Sequence, residues 1–175
     1  MNQPIEWIET TEQLQSLCHR LENSEFIALD TEFLREKTYY PKLCLIQVAT
    51  TELVACIDPL QLPDLSPLLP VLNNHSILKV FHAASQDLEI FYQLNGDLPE
   101  PVFDTQIAAS MLGLGEQISY AALVTSLLNI ELQKNQSRTD WAKRPLSQAQ
   151  IEYAADDVRY LVKAYLKQDE ILQKT

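Results

Sequence analysis

Short apolar runs alternate along this chain with stretches whose apolar residues recur every three or four positions. Behind Thr10, a residue able to cap a first turn, Leu14, Leu17 and Leu21 keep helical spacing, which predicts a helix over 11–23. Phe26-Ile-Ala-Leu-Asp-Thr-Glu-Phe33 reads as a strand that turns from apolar to acidic at its end. Leu43–Thr50 and Leu53–Asp58 read as two more strands, and the short Thr50-Thr-Glu link predicts an antiparallel hairpin. Prolines 59, 63, 67 and 70 make the next segment a loop, with at most a short helix near 65–72.

Ile77–His82 follows as a buried strand, and Ser85 is placed to cap a helix over Gln86–Leu94. Pro101–Thr105 predicts a short strand leading into a helix over Gln106–Met111, which Gly113 and Gly115 break. Ser119 starts a helix through Leu128. Glu131–Arg144 is polar and reads as a flexible or substrate-facing loop. Ser147, with Gln150 three residues on, has the capping-box spacing of a long final helix. A hairpin-linked set of strands followed by alternating strands and helices predicts an α/β domain, a mixed central β-sheet flanked by α-helices.

At 175 residues and 46% hydrophobic, the chain suits one domain with a real core, so 1–175 is expected to be a single domain. No apolar run approaches the ~18 residues of a membrane span, and the first residues lack the basic-then-apolar pattern of a signal peptide. Cys18, Cys44 and Cys56 are odd in number and lack ligand spacing, so they are expected to be reduced thiols of a cytoplasmic protein. The formal net charge of −11 argues against coating nucleic acid by bulk electrostatics. It leaves open an enzyme that engages a strand end locally.

The candidate chemistry is acidic. Asp30 and Glu32 are two apart on a predicted strand, so both side chains share one face and Thr31 points to the other. Asp87 falls in the first turn of a predicted helix, where the dipole favours a carboxylate. Tyr153 and Asp157 are four apart on the last helix and share its face, whereas Asp156 is turned away toward solvent. Taken singly, each has a bland alternative: a hydrated strand end, a dipole-stabilised first turn, a solvated helix. Gathered together, such carboxylates repel unless divalent cations sit among them, and paired metals clamping a phosphate are a known way to cut a phosphodiester. Tyr153 suits orienting an attacking water rather than removing its proton, since a free tyrosine has a pKa of ~10.

The order Asp-x-Glu, Asp, Tyr-x-x-x-Asp resembles the DEDD exonuclease superfamily in its tyrosine-bearing branch. Thr38–Gln47, Ile57–Leu60, Lys79–Asp87, Phe103–Gln106 and Ser137–Leu146 are similar to the ribonuclease D family, and the resemblance runs from about residue 5 to 170. It implies a ribonuclease-H-like 3′–5′ exonuclease fold. It also implies a 3′→5′ exoribonuclease that trims RNA 3′ ends, those of precursor tRNA and other small structured RNA. By position, Asp30, Glu32, Asp87 and Asp157 would hold two divalent cations, Mg²⁺ or Mn²⁺, with Tyr153 beside the nucleophilic water. Members of that family usually carry helical HRDC modules after the nuclease domain, and none is expected within these residues.

Substrate contacts are less defined. Phe33, Tyr39 and Tyr40 either stack on terminal bases or pack in the core. His82 either touches a sugar or phosphate or satisfies a buried polar group. Lys134, Arg138, Lys143 and Arg144 make the 131–145 loop locally basic, so it either guides a phosphate backbone or is simply solvated. Trp141 is expected to anchor that loop. Two rival functions share the plan: a DNA exonuclease of proofreading type, and a non-catalytic RNA-binding module of the same fold.

Overall fold

The computed structural model describes residues 3–35, 40–132, 136 and 138–174. Its strands are β1 (Ile5–Ile8), β2 (Phe26–Leu34), β3 (Lys42–Ala49), β4 (Val54–Ile57), β5 (Leu78–Phe81) and β6 (Val102–Asp104). Between and after them run α1 (Thr11–Leu21), α2 (Leu69–Leu72, entered through a 3-10 turn at Ser66–Leu68), α3 (Ser85–Asn95), α4 (Thr105–Met111), α5 (Tyr120–Leu128) and α6 (Gln148–Leu172). The strand order is β1-β4-β3-β2-β5-β6. β2, β3 and β4 pair antiparallel, whereas β1–β4, β2–β5 and β5–β6 are parallel, so the sheet is mixed as expected.

The two-residue period of β2 builds both sides of the molecule. Ile27 and Leu29 face a core with Leu14, Leu17 and Leu21 of α1, Val71 and Leu72 of α2, and Phe91 of α3. Ala28 faces the opposite core, where α6 contributes Ala154, Ala155, Val158, Leu161 and Val162. Small residues at 154 and 155 let α6 lie close over the sheet. Asp30 and Glu32 continue the Ala28 row and therefore point toward α6. α4 and α5 pack against the second half of α6 through Ala109, Leu123 and Ala164.

The caps largely follow the local sequence. Thr10 with Gln13 and Ser147 with Gln150 each form a complete capping box, and Ser119 caps α5. One strand escaped the pattern, and one cap needs correction. β1 is a strand the pattern did not reveal; its four residues pair in parallel with β4. Ser85 is the first residue of α3 and not its cap; Ala84 holds the N-cap position and supplies no side-chain acceptor.

The segment before α6 is held to the sheet by a buried ion pair. Arg144 Nε donates to Asp58 Oδ2 at 2.7 Å and Nη2 to Asp58 Oδ1 at 2.8 Å. The same guanidinium donates to the Cys44 and Trp141 carbonyls, both at 2.7 Å. Trp141 is 2% exposed and anchors this stretch as expected, so around Trp141 and Arg144 the segment is a fastened strap instead of a flexible loop. Arg144→Met would strand the Asp58 carboxylate in the interior. Its expected cost is about 3–5 kcal/mol of unfolding free energy, read by urea denaturation. Adding Asp58→Asn should recover part of that loss.

Candidate active site

Asp30 and Glu32 leave β2 on the α6 face, and Asp157 meets them from α6. One carboxylate oxygen from each of the three lies within 4.8 Å of the others. The strand period and the helix that crosses it produce this trio from residues 125 or more apart in sequence, 157 against 32 and 30. A bulge between Glu32 and Phe33 ends the regular alternation just past the second carboxylate.

Asp87 borders the trio without being one of its three members. It is buried in the first turn of α3, and the Thr31 hydroxyl donates to its Oδ1 at 2.5 Å. Thr31 points away from Asp30 and Glu32, as its odd place in the strand requires, and that direction brings it to α3. The charge of Asp87 acts on both Asp30 and Glu32. The Tyr153 hydroxyl donates to Asp157, four residues on along one face of α6. The Trp141 ring packs on Tyr153 with centroids 6.2 Å apart.

Burial dominates the acid–base state of these groups, and mutual repulsion adds to it. Burial first, then Asp87, Asp157 and Glu32, push Asp30 well above the usual carboxylate range. Burial and the charges of Asp157 and Asp87 raise Glu32 to about 9. Burial and Asp156 raise Asp157 to about 8, against the Tyr153 hydrogen bond. Burial raises Asp87 to about 6, opposed by the bond from Thr31. Tyr153 is pushed up by burial and by Asp157, which keeps its hydroxyl protonated. Among the described residues no Lys, Arg or His forms an ion pair with any of the four acids. An all-oxygen donor set without a cationic side chain to balance it fits hard divalent cations.

Several neighbours were not read from the sequence. Gln47 is fully buried opposite Asp30 across β2–β3; a lone amide inside the run Cys-Leu-Ile-Gln-Val was its only sign. Tyr120 lies under the site, its hydroxyl donating to the Asp156 carbonyl at 3.1 Å. Burial and the charges of Asp157 and Asp30 raise its pKa well above normal, and nothing local in the sequence points to it. Asp156 is half-buried and not fully solvated, because it pairs with buried Arg159.

The substrate candidates divide. Arg144 is removed from that group by its bidentate bond to Asp58. His82 is likewise spent inside the protein, with Nε2 3.1 Å from the Ile118 carbonyl and Nδ1 2.9 Å from the Thr105 hydroxyl. A carbonyl only accepts, so Nε2 carries the proton. Burial lowers the ring pKa and favours the neutral ring, so Nδ1 and the Phe81 carbonyl, 3.0 Å from the same Thr105 oxygen, share that hydroxyl's one proton. Phe33 is half-buried after the bulge, while Tyr40, Arg138 and Lys143 are exposed. Tyr39 and Lys134 fall outside the described residues.

A mixed sheet crossed by one long helix thus carries a half-buried carboxylate trio at their junction, a set of oxygens suited to hard cations. The 3′-5′ exonuclease family profile matches residues 5–173, and the chain belongs to that family. The ribonuclease D of Sphingobium indicum is 52% identical over 96% of this chain and 44% of its own length. The Escherichia coli RNase D crystal structure, described as an exoribonuclease involved in structured RNA processing, superposes with a TM-score of 0.89. It is 44% identical, covering 97% of this chain and 46% of its own. Brucella melitensis NrnC with bound Mg²⁺ aligns with a TM-score of 0.76 at 27% identity, covering 99% of this chain and 83% of its own. The chain thus spans less than half the length of the ribonuclease D relatives it matches.

The raised carboxylates make stability depend on pH and on cations. Their folded pKa values exceed the unfolded ones, so the folded state binds more protons between them and stability falls as pH rises. With the cited values the window opens near the ordinary carboxylate range, 3.8–4.5, and closes near 9. The melting temperature of chelator-treated protein should therefore drop between about pH 5 and about pH 9. Mn²⁺ should reverse most of the drop, and Asp157→Asn should flatten it.

Proposed function

We propose that this chain is a divalent-cation-dependent 3′→5′ exoribonuclease releasing nucleoside 5′-monophosphates from RNA 3′ ends, those of precursor tRNA or other small structured RNA. The observation that carries this reading is the compact, unneutralised trio of Asp30, Glu32 and Asp157 where β2 meets α6. Membership of the 3′-5′ exonuclease family and the likeness to ribonuclease D support the direction of cleavage and the choice of RNA. Two cations, Mg²⁺ or Mn²⁺, suit the site, because four ionised carboxylates carry a charge that two dications balance. The Mg²⁺ bound in the Brucella neighbour agrees with this. Three free, buried cysteines support a reducing, cytoplasmic setting.

In this reading Asp30, Glu32 and Asp157 hold the cations, and Asp87, fixed by Thr31, completes the set. Bound divalent cations ease deprotonation of water and neutralise charge on the phosphate. The water oxygen bonds to the terminal phosphorus, the bond from phosphorus to the 3′ oxygen breaks, and that oxygen takes a proton. Tyr153 stays protonated and therefore orients the water instead of deprotonating it. Asp157 fixes the direction of that hydroxyl. Among the described residues, exposed Tyr40, Arg138 and Lys143, with half-buried Phe33, stay candidates to contact the strand.

The test is a 3′-extended tRNA precursor, with a matched DNA strand, incubated with Mg²⁺, with Mn²⁺ and with chelator. Stepwise shortening of the RNA from its 3′ end, abolished by chelator, is the expected result. Preferred cleavage of DNA would replace this reading with a proofreading-type nuclease. Asp30→Ala and Asp157→Ala should each lower the rate by about a thousandfold or more while the fold persists by circular dichroism. Tyr153→Phe should cost at most about a hundredfold in kcat.

A further inference from the structure

Helix α3 carries Asp87 in its first turn but brings no cap of its own. The acceptor comes from another strand. Asp104, the last residue of β6, takes the Ala83 N–H on Oδ1 at 3.0 Å and the Ala84 N–H on Oδ2 at 2.9 Å. Its Oδ1 also accepts the Gln106 N–H at 2.8 Å, which caps α4. One carboxylate fastens the starts of two helices. Parallel pairing of β5 with β6 sets Phe81 opposite Asp104, so the carboxylate arrives where the chain leaves β5.

What it fastens is a conformation the backbone disfavours. Ala83 has φ 55, the left-handed region that a residue with a Cβ seldom adopts. Hydrogen bonds to an ionised acceptor are the strong kind, and Ala83 and Ala84 donate one each. Asp104 is not a further cation ligand, because its two oxygens are occupied by three N–H groups and it stands outside the trio. Asp87 is then held at both ends: its carboxyl by Thr31, its backbone by the turn that Asp104 fastens.

We propose that Asp104 is a positioning residue for the exonuclease reaction: its carboxylate clamps the left-handed turn between β5 and α3 and so sets Asp87 beside Asp30 and Glu32. The role rests on the exonuclease reading above. Mn²⁺ binding by electron paramagnetic resonance without substrate, oligoribonucleotide cleavage, and amide hydrogen exchange at Ala83 and Ala84 test it together. Asp104→Ala should speed exchange at both amides. It should lower Mn²⁺ affinity and kcat by about 10–100-fold, the usual cost of losing a group that orients a metal ligand. KM should stay within about threefold, since the strand itself is not touched. Asp104→Asn keeps the Oδ1 acceptor and should lose less. Ala83→Gly added to Asp104→Ala should restore part of both losses, because glycine adopts positive φ freely.

A folded Asp104→Ala protein with parental Mn²⁺ affinity and kcat, beside an active parent, overturns the positioning role alone. Faster exchange with unchanged Mn²⁺ affinity overturns it too, as does a loss that Ala83→Gly leaves untouched. Should Asp104→Ala fail to fold, Asp104→Asn decides by the same three readings. A parent that neither binds Mn²⁺ nor shortens RNA overturns the exonuclease reading, and this role with it.

Discussion

Repulsion among crowded, half-buried carboxylates is the constraint on which this structure turns. At an effective dielectric of about 20, two ionised carboxylates less than 5 Å apart repel by on the order of 3 kcal/mol. Three such pairs, with a fourth acid at their edge, approach the whole stability of a small domain, about 5–15 kcal/mol. No lysine, arginine or histidine forms an ion pair with these acids among the described residues. The protein therefore retains protons there or takes up cations. Everything that holds the acids in place works against their preference to separate.

The holding is done by packing more than by local bonds. β2 lies inside the sheet, braced by antiparallel β3 on one side and parallel β5 on the other. Its alternation commits Ile27, Leu29 and Thr31 to one side and Ala28, Asp30 and Glu32 to the other. A slip of one residue would exchange the two rows, burying carboxylates among the leucines of α1. The apolar half of the strand thus fixes the register of its acidic half. On the far side, Arg144 and Trp141 tie the approach to α6 to β3 and β4, which sets the helix that carries Tyr153 and Asp157.

What could be read without coordinates was whatever depends on neighbours in sequence. The Asp30–Glu32 face, the Tyr153–Asp157 face, the β3–β4 hairpin and the Ser147–Gln150 box are all short-range patterns, and the structure has them. What escaped depends on distant partners. Arg144 looked like a free basic residue, but its partner Asp58 is 86 positions away. His82 stood at the end of a core strand, and only Ile118 and Thr105 decide what its ring does. Ser85 had the composition of a cap, yet Asp104 from β6 supplies the acceptor at that helix start. β1 has only four residues, too few for a periodic pattern, and owes its strand form to β4.

The acidity of the chain takes on a different meaning in this light. A formal charge of −11 should repel a polyanion, and the exposed cations Arg138 and Lys143 offset little of it. Two dications at the carboxylate cluster would place four positive charges at the spot where a phosphate must arrive. The ions that relieve the repulsion within the fold would then also draw the strand end to the site. Attraction confined to one point favours a terminus that can be threaded there over a duplex that would lie along an acidic surface. A surface that repels and a centre that attracts would suit the end-directed cleavage proposed above.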